Sequence, residues 1–297
     1  PGNPFSEIPI PPEVDEYGEE QAFGYFSFSE DLSEGFNPAH GIPPALCVND
    51  IDGSWPLPIR WLSNLEIPEL VKEGYVGCDC GCGDCSECHK KIFKGGIETL
   101  SYIEGGKIDI SDLNTHKPLV LECNPACRCN PATCKNRVVN NRSSVRMYVF
   151  RSLTKGGWGV RTLEFVPRGT FVCEYLGRVI TDPTIAEQQG MNYDISGESY
   201  LFDLDAFDVD DAEMFTVDPS SEGNIAKYIN HSCEPNLIQI SIGSVNSPLI
   251  HRISFFAVRD IYPNEELFFH YNYELDKRLL CPIPCGCGSL YCRTRLR

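Results

Sequence analysis

Residues 225–237 read IAKYINHSCEPNL. An amide (Asn230), an imidazole (His231) and a thiol (Cys233) fall almost side by side, and Pro235 stands two residues beyond the thiol. A lone Asn-His-Ser names no chemistry. Its reading depends on the rest of the 16 cysteines and on a Gly-Trp-Gly at 157–159.

The chain has 297 residues, enough for one large domain, or a domain with appendages, around a real core. Hydrophobic content is an ordinary 42%, and no apolar run approaches the roughly 20 residues of a membrane span. The opening PGNPFSEIPIPPEVDEYGEE lacks the charged and apolar regions of a signal peptide. It also lacks Met, so the chain reads as a piece trimmed from a longer one. The net charge of -17 argues against holding bare nucleic acid through phosphates and favours a cationic partner such as a Lys/Arg-rich peptide. The same acidity also serves solubility alone.

The cysteines are clustered at C-x-C and C-x-x-C spacings. Thiols so close pair poorly with one another but share a metal well. Zinc in a reducing compartment is therefore expected rather than disulfides.

Residues 1–60 are acidic, Pro-rich and weakly periodic, and read as an extended arm or a tail partly packed on the body. CDCGCGDCSEC (78–88) and CNPACRCNPATC (123–134) follow, with Gly and Pro between their cysteines. Metal must hold that region together. From about Val145 the chain turns into short runs rich in β-branched and aromatic residues, among them VRMYVF, TFVCEYLGRVI, LIQISI and ISFFAVRDI. This predicts a domain of many short strands. The clearest helix is predicted at DPTIAEQQG, with Asp182 as N-cap, and a short turn of helix in EGNIAKYIN.

Ligand counting sharpens the metal reading. Cys78, Cys80, Cys82, Cys85 and Cys88, then Cys123, Cys127, Cys129 and Cys134, make nine thiols. Structural zinc takes four ligands. Two separate sites leave one thiolate over; three metals are served if three thiolates each bridge two of them. The five-plus-four split favours the triangular cluster, and two sites with a spare cysteine are the alternative. At the C-terminus, Cys281, Cys285, Cys287 and Cys292 form a complete set by themselves. If Cys233 is a ligand instead, the tail folds back over NHSC; otherwise Cys233 is a buried structural thiol. Cys47 and Cys173 read as apolar cysteines.

The cysteine cluster, GGWGV (156–160), EYLG (174–177), YLFDLD (200–205), NHSCEPN (230–236), EELFFHY (265–271) and C-x-C-x4-C (285–292) occur in that order. In this the chain resembles the Su(var)-type histone lysine methyltransferases, built of pre-SET, SET and post-SET segments, whose usual target is lysine 9 of histone H3. The resemblance runs from about residue 60 to the last residue. It implies a mainly β fold, a SET domain of small curved sheets with pseudoknot-like topology. The division it implies is an N-terminal arm (1–60), a pre-SET zinc cluster (61–142), a SET catalytic domain (143–276) and a post-SET zinc segment (277–297). It also implies three zincs in the pre-SET cluster and one held by Cys233, Cys285, Cys287 and Cys292. The implied setting is the nucleus, on chromatin, with the H3 tail and chromatin-associated proteins as partners and no membrane. The net charge adds no bare DNA.

The family uses S-adenosylmethionine. Gly157, Trp158 and Gly159 resemble its first cofactor loop, where glycine lets backbone approach the ligand and Trp158 faces a sulfonium. Asn230 and His231 resemble the cofactor-contacting pair, and Tyr200 another cofactor-side aromatic. Tyr271 matches the catalytic Tyr and also lies beside the cofactor; Tyr175 matches the second Tyr of the lysine channel. Phe269 falls at the position that sets how many methyls are added, and a Phe there implies di- or trimethylation. Substrate is expected as an added strand beside YLFDLDAF, against Leu201 and Phe202, with Asp205 meeting a basic tail. His270 departs from the family, which usually has Asp there. A two-residue slip in Tyr271-Asn272-Tyr273 would make Tyr271 the switch and Tyr273 the catalyst. The competing readings are a methyltransferase for another lysine, such as H3 lysine 4 or 36 or a non-histone target, and an inactive zinc-stabilised scaffold.

Overall fold

The computed structural model describes residues 30–66, 77–78, 85, 99–111, 118–152, 157–196, 200–204, 215–244, 247–272 and 284–296. The elements in chain order are β1 (Glu30–Asp31), α1 (Phe36–Ala39), β2 (Leu46–Val48), β3 (Arg60–Trp61), β4 (Leu119–Glu122), β5 (Met147–Arg151), β6 (Trp158–Thr162), β7 (Phe171–Glu174), β8 (Gly177–Ile180), α2 (Pro183–Ser196), β9 (Phe202–Leu204), β10 (Phe215–Gly223), a 3₁₀ turn (Ile225–Tyr228), β11 (Asn230–His231), β12 (Leu237–Ser244), β13 (Ser247–Ala257) and β14 (Phe268–Phe269). They form small sheets ordered β1-β2-β5-β6, β3-β10-β8 with β9 on β10, β4-β12-β13-β7, and the pair β11-β14. This is the mainly β architecture that the runs of β-branched and aromatic residues predict.

Both predicted helical segments are present. Asp182 Oδ1 accepts from Thr184 N at 2.9 Å and Thr184 Oγ1 at 2.6 Å, and Pro183 opens α2, a favourable start for a helix. The helix runs to Ser196, beyond the predicted stretch. Asn224 caps the 3₁₀ turn by accepting from Ala226 N. No helix among the described residues is long and apolar enough to cross a membrane.

Four strand pairs are parallel and join segments far apart in the chain: β2 with β5, β3 with β10, β4 with β12, and β11 with β14. From Glu30 the arm is therefore part of the sheets. Cys47, wholly buried, lies opposite Val149, and Trp61 opposite Gly223. Burial pushes the Cys47 thiol up to about 12, consistent with an apolar cysteine. One core gathers Cys47, Val149, Val160, Val172, Ala226 and Phe255, none more than marginally exposed. Each such aliphatic or aromatic side chain contributes about 1.5–3 kcal/mol by leaving water.

Arg252 on β13 joins two largely buried carboxylates of the same sheet, one on the adjacent β7 and one on β4, beyond β12. It donates to Glu122 of β4 at 3.3 Å and to Glu174 of β7 at 3.4 Å. Glu122 also accepts from Val139 N at 2.7 Å, Tyr102 Oη at 2.8 Å and Asn140 N at 3.1 Å. Burial pushes both carboxyls above their ordinary range, and Arg252 pulls them back. Replacing Arg252 with Met leaves both carboxyls without its charge, and we expect a loss of about 3–5 kcal/mol in denaturant titrations near neutrality. The folded values lie above the unfolded ones, so folding favours the protonated forms. That contribution is present below the usual carboxylate pKa of about 4 and fades as pH rises through the folded values. The difference between Arg252→Met and the parent chain should accordingly shrink at mildly acidic pH.

Candidate functional site

The opening stretch forms the centre of the site. β11 lies parallel to β14, pairing Asn230 with Phe268 and His231 with Phe269. That pairing brings two distant motifs into one wall. Asn230 Nδ2 donates to Trp158 O at 2.9 Å and to Glu266 Oε1 at 3.1 Å, tying β6 and the EEL segment to the same residue. Gly159 is required by packing: a Cβ there would lie 2.6 Å from the Phe150 ring and 2.9 Å from Glu266 Oε1. The guanidinium of Arg151 stands 5.4 Å from the Trp158 ring centre. Gly157 accepts at its carbonyl from Ser152 N at 2.9 Å, closing the loop that precedes β6.

Aromatic rings surround a cavity of about 20 Å³ lined by Tyr175, Tyr200, Leu201, Phe202, Lys227, Ile229, Phe269 and Tyr271. Phe269 packs against Phe255 at 4.5 Å and Tyr271 at 4.8 Å between ring centres. Tyr175 meets Phe202 at 5.6 Å and Phe269 at 6.4 Å. Tyr175 Oη donates to Tyr200 O at 2.6 Å, and Tyr271 Oη donates to Ile229 O at 3.1 Å. With both protons directed at carbonyls, each hydroxyl oxygen keeps lone pairs as acceptors. β9, the strand beside this cavity, pairs only with β10 among the described residues. Asp203 turns to β10, accepting from Thr216 Oγ1 at 2.7 Å. Asp205 and Tyr273 lie outside the described residues.

His231 connects this wall to the tail. Its Nδ1 accepts from Tyr271 N at 3.1 Å, so the ring proton sits on Nε2, which lies 3.4 Å from Cys233 Sγ. Cys233, Cys285, Cys287 and Cys292 place their sulfurs within 4.8 Å of one another. Arg293 N donates to Cys233 Sγ at 3.4 Å, and Ser289 Oγ bonds Glu234. Of the two arrangements left open, the tail takes the one that folds back over NHSC and brings Cys233 to its cysteines; Cys281 lies outside the described residues. Burial opposes it, yet backbone N–H groups bring the Cys287 thiol down to about 6.

Six of the nine upstream thiols are described. Cys85, Cys123, Cys129 and Cys134 form one set and Cys78, Cys123 and Cys127 another, each with sulfurs within 4.8 Å. Cys123 belongs to both sets, the position of a bridging ligand. Burial and the adjacent Cys134 push the Cys123 thiol up, while Arg137, 3.4 Å from Cys129 Sγ, draws Cys129 down against the effect of burial. Sulfurs gathered in fours fit tetrahedral zinc. Cys80, Cys82 and Cys88 lie outside the described residues.

Several site residues carry no signal of their own in the sequence. Lys227 sits inside the opening stretch, yet only the fold shows its ammonium 5.3 Å from the Tyr200 ring centre, on the cavity wall. Phe255 reads as an ordinary strand residue. Glu266 belongs to a quoted motif, but its bond to Asn230 depends on the β11-β14 pairing. His270, where the resemblance leads one to expect Asp, places Nδ1 2.7 Å from Asn272 Oδ1 and its ring 4.9 Å from that of His231.

Comparison with known proteins agrees with this geometry. The family model described as SET domain matches residues 157–272, and the Pre-SET motif matches residues 39–137. The chain is 33% identical over 262 residues to the H3 lysine-9 specific histone-lysine N-methyltransferase SUVH5 of Arabidopsis thaliana, covering 85% of this chain and 30% of that protein. The solved structure of Arabidopsis thaliana SUVH6 in complex with SAM is 30% identical, with a TM-score of 0.69 over 90% of this chain and 55% of that one. KRYPTONITE, solved with DNA, an H3(1–15) peptide and SAH, is 30% identical with a TM-score of 0.65 over 95% of this chain and 57% of that one. The chain therefore spans between about a third and about half of these longer relatives.

The tail centre yields a direct test. Replacing Cys233 with Ser should lower the zinc content, measured by atomic emission on dialysed protein, by about one ion per chain. It should leave the ions of the upstream cluster in place. An unchanged zinc content would remove Cys233 from the ligand set.

Proposed function

We propose, from the premise that this chain belongs to the SET-domain family and carries its pre-SET motif, that it is a protein lysine N-methyltransferase acting on the tail of histone H3, most simply at lysine 9. The carrying observation is the aromatic cavity with two tyrosine hydroxyls whose protons point away into carbonyls. The relatives named for lysine-9 methylation, and the neighbour solved with an H3 peptide, support the substrate.

The chemistry asks for such a cavity. A lysine amine attacks carbon only when neutral, yet its ordinary pKa of about 10.4 leaves about 0.04% neutral at pH 7, a handicap of roughly 4–5 kcal/mol. Apolar walls that strip water lower that pKa. Tyr271 and Tyr175 oxygens accept from the amine and from polarised C–H groups, and so orient it. Phe269 lines the cavity without a hydroxyl, leaving an amine that already carries methyls free to turn. S-adenosylmethionine, when bound, supplies the methyl on a sulfonium. Gly157, Trp158, Gly159, Tyr200, Asn230, His231 and Tyr271 would hold it. Trp158 and Tyr271 offer aromatic faces suited to a sulfonium, and Asn230, tied through Nδ2 to Trp158 O, stands next to His231.

The substrate strand would add beside β9, at Leu201 and Phe202, on the side that is unpaired among the described residues, and Asp205 is the residue proposed to meet a basic tail. His231 links the metal to the reaction. A Cys233 thiolate that held the metal would accept a hydrogen bond from Nε2–H, which keeps Nδ1 the acceptor for Tyr271 N. The zincs would be three in the pre-SET cluster, on Cys78, Cys80, Cys82, Cys85, Cys88, Cys123, Cys127, Cys129 and Cys134, and one on the tail. Residues 61–142, 143–276 and 277–297 then act as pre-SET support, catalytic body and post-SET closure. The setting is nuclear chromatin, together with other chromatin-associated proteins.

Transfer of tritiated methyl to H3 peptides, each with one lysine blocked, tests the reading. Label should vanish when lysine 9 is blocked. Loss on blocking lysine 4 or another site instead moves the target, and no transfer to any substrate despite bound cofactor favours a scaffold. Tyr271→Phe should slow transfer by at least about a hundredfold. In mass spectra, Phe269→Tyr should shift di- and trimethyl products towards monomethyl. Retained transfer with a gain of methyls in Tyr271→Phe would instead point to the slipped register.

A further inference from the structure

A second cavity, of about 60 Å³, lies among the arm, the segment that enters β5, and β7. Its walls are mainly apolar, with Pro43, Ala45, Leu62, Val145 and Leu176 among them. Two acceptors on those walls have no hydrogen-bond partner among the described residues, Asn37 Oδ1 and Glu174 Oε1. Asn37 is 4% exposed, and its Nδ2 is held by Pro43 O at 3.2 Å, which fixes the amide. Glu174 receives Arg252 at 3.4 Å on its other oxygen, and Arg252 is shared with the better-bonded Glu122. The cavity thus presents two acceptor oxygens that lack a donor, on Asn37 and Glu174. Arg142, the other charged lining residue, is partly exposed and donates to His40 O; its charge, like that of Arg252, acts on Glu174 but gives Oε1 no hydrogen bond.

We propose that this cavity binds a small organic cation on an aliphatic stem, a primary alkylammonium or alkylguanidinium. Its N–H groups meet Asn37 Oδ1 and Glu174 Oε1, and its stem lies along the apolar walls. Water fits a space of this size, but a cation with several donors supplies hydrogen bonds to both orphan oxygens and adds its charge to that of Arg252 beside Glu174. Tyr175, next in the chain after Glu174, belongs to the aromatic cavity, so an occupant here abuts the strand end that carries a site residue. The same head group is available free or at the end of a lysine or arginine side chain.

Calorimetric titration of the zinc-loaded chain with butylguanidinium and butylammonium tests the site, with 1-pentanol as the neutral stem and acetyl-arginine amide as the side-chain source. Saturable binding of the cations is expected, with none of 1-pentanol. Glu174→Gln should weaken it by at least about tenfold. Ala45→Leu, which fills the space without touching a charge, should abolish it. Because Glu174→Gln also alters the Arg252 network, Ala45→Leu is the independent arm, and melting temperature checks that each variant is folded. Acetyl-arginine amide binding as well as butylguanidinium supports a peptide side chain as the occupant, and its exclusion supports a free amine. No saturable cation binding to the parent chain, equal binding of 1-pentanol, or binding unchanged in folded Ala45→Leu would overturn the proposal.

Discussion

One imidazole holds together the parts on which the rest depends. His231 accepts the Tyr271 amide on one side and presents Nε2 to the Cys233 sulfur on the other. The ring is 6% exposed, so a lost partner would not be replaced easily by water. A four-sulfur centre formed from the tail is thereby coupled to the backbone of a cavity-lining tyrosine. The same two-residue strand carries Asn230, whose amide fixes Trp158 and Glu266. A stretch of a few residues thus sets the relative positions of the tail, the Gly-Trp-Gly loop and the aromatic cavity.

The thiol groups act in the same way on a larger scale. Around Cys123 the chain has little regular structure, and the sulfurs crowd together from both cysteine runs. Crowded thiolates repel one another, and a divalent cation turns that repulsion into cross-links. β4, which leads directly into Cys123, pairs with β12 of the central sheet. Order in the cysteine-rich region is passed to the strands that carry the aromatic cavity through that strand and through the Arg252 bridge.

Much of this was legible in the sequence because it is local or ordered. C-x-C spacing, Gly-Trp-Gly and EEL each report nearest neighbours, and their sequence order fixed the family. Counting ligands left the tail open, since Cys281, Cys285, Cys287 and Cys292 already make a complete set; the fold brings Cys233 to the last three. What stayed hidden depends on partners far along the chain. Nothing near Arg252 announces Glu122 or Glu174, and nothing in the arm announces that Leu46–Val48 will pair with β5. Lys227 was in plain view, yet only the fold turns its ammonium towards Tyr200. Parallel pairings of this kind leave no turn signal between the partners, and hydrophobic alternation does not say which strand lies alongside.

The joining of β2 to β5 has a practical side for anyone who trims this molecule. A fragment begun just before β5 would strip the neighbour from one side of that strand and bare a row of amides and carbonyls next to apolar side chains. Such an edge invites pairing between copies. The arm thus serves as a fitted cover against self-association, and contacts spanning so much chain close late during folding, which lengthens the interval in which the uncovered edge is exposed.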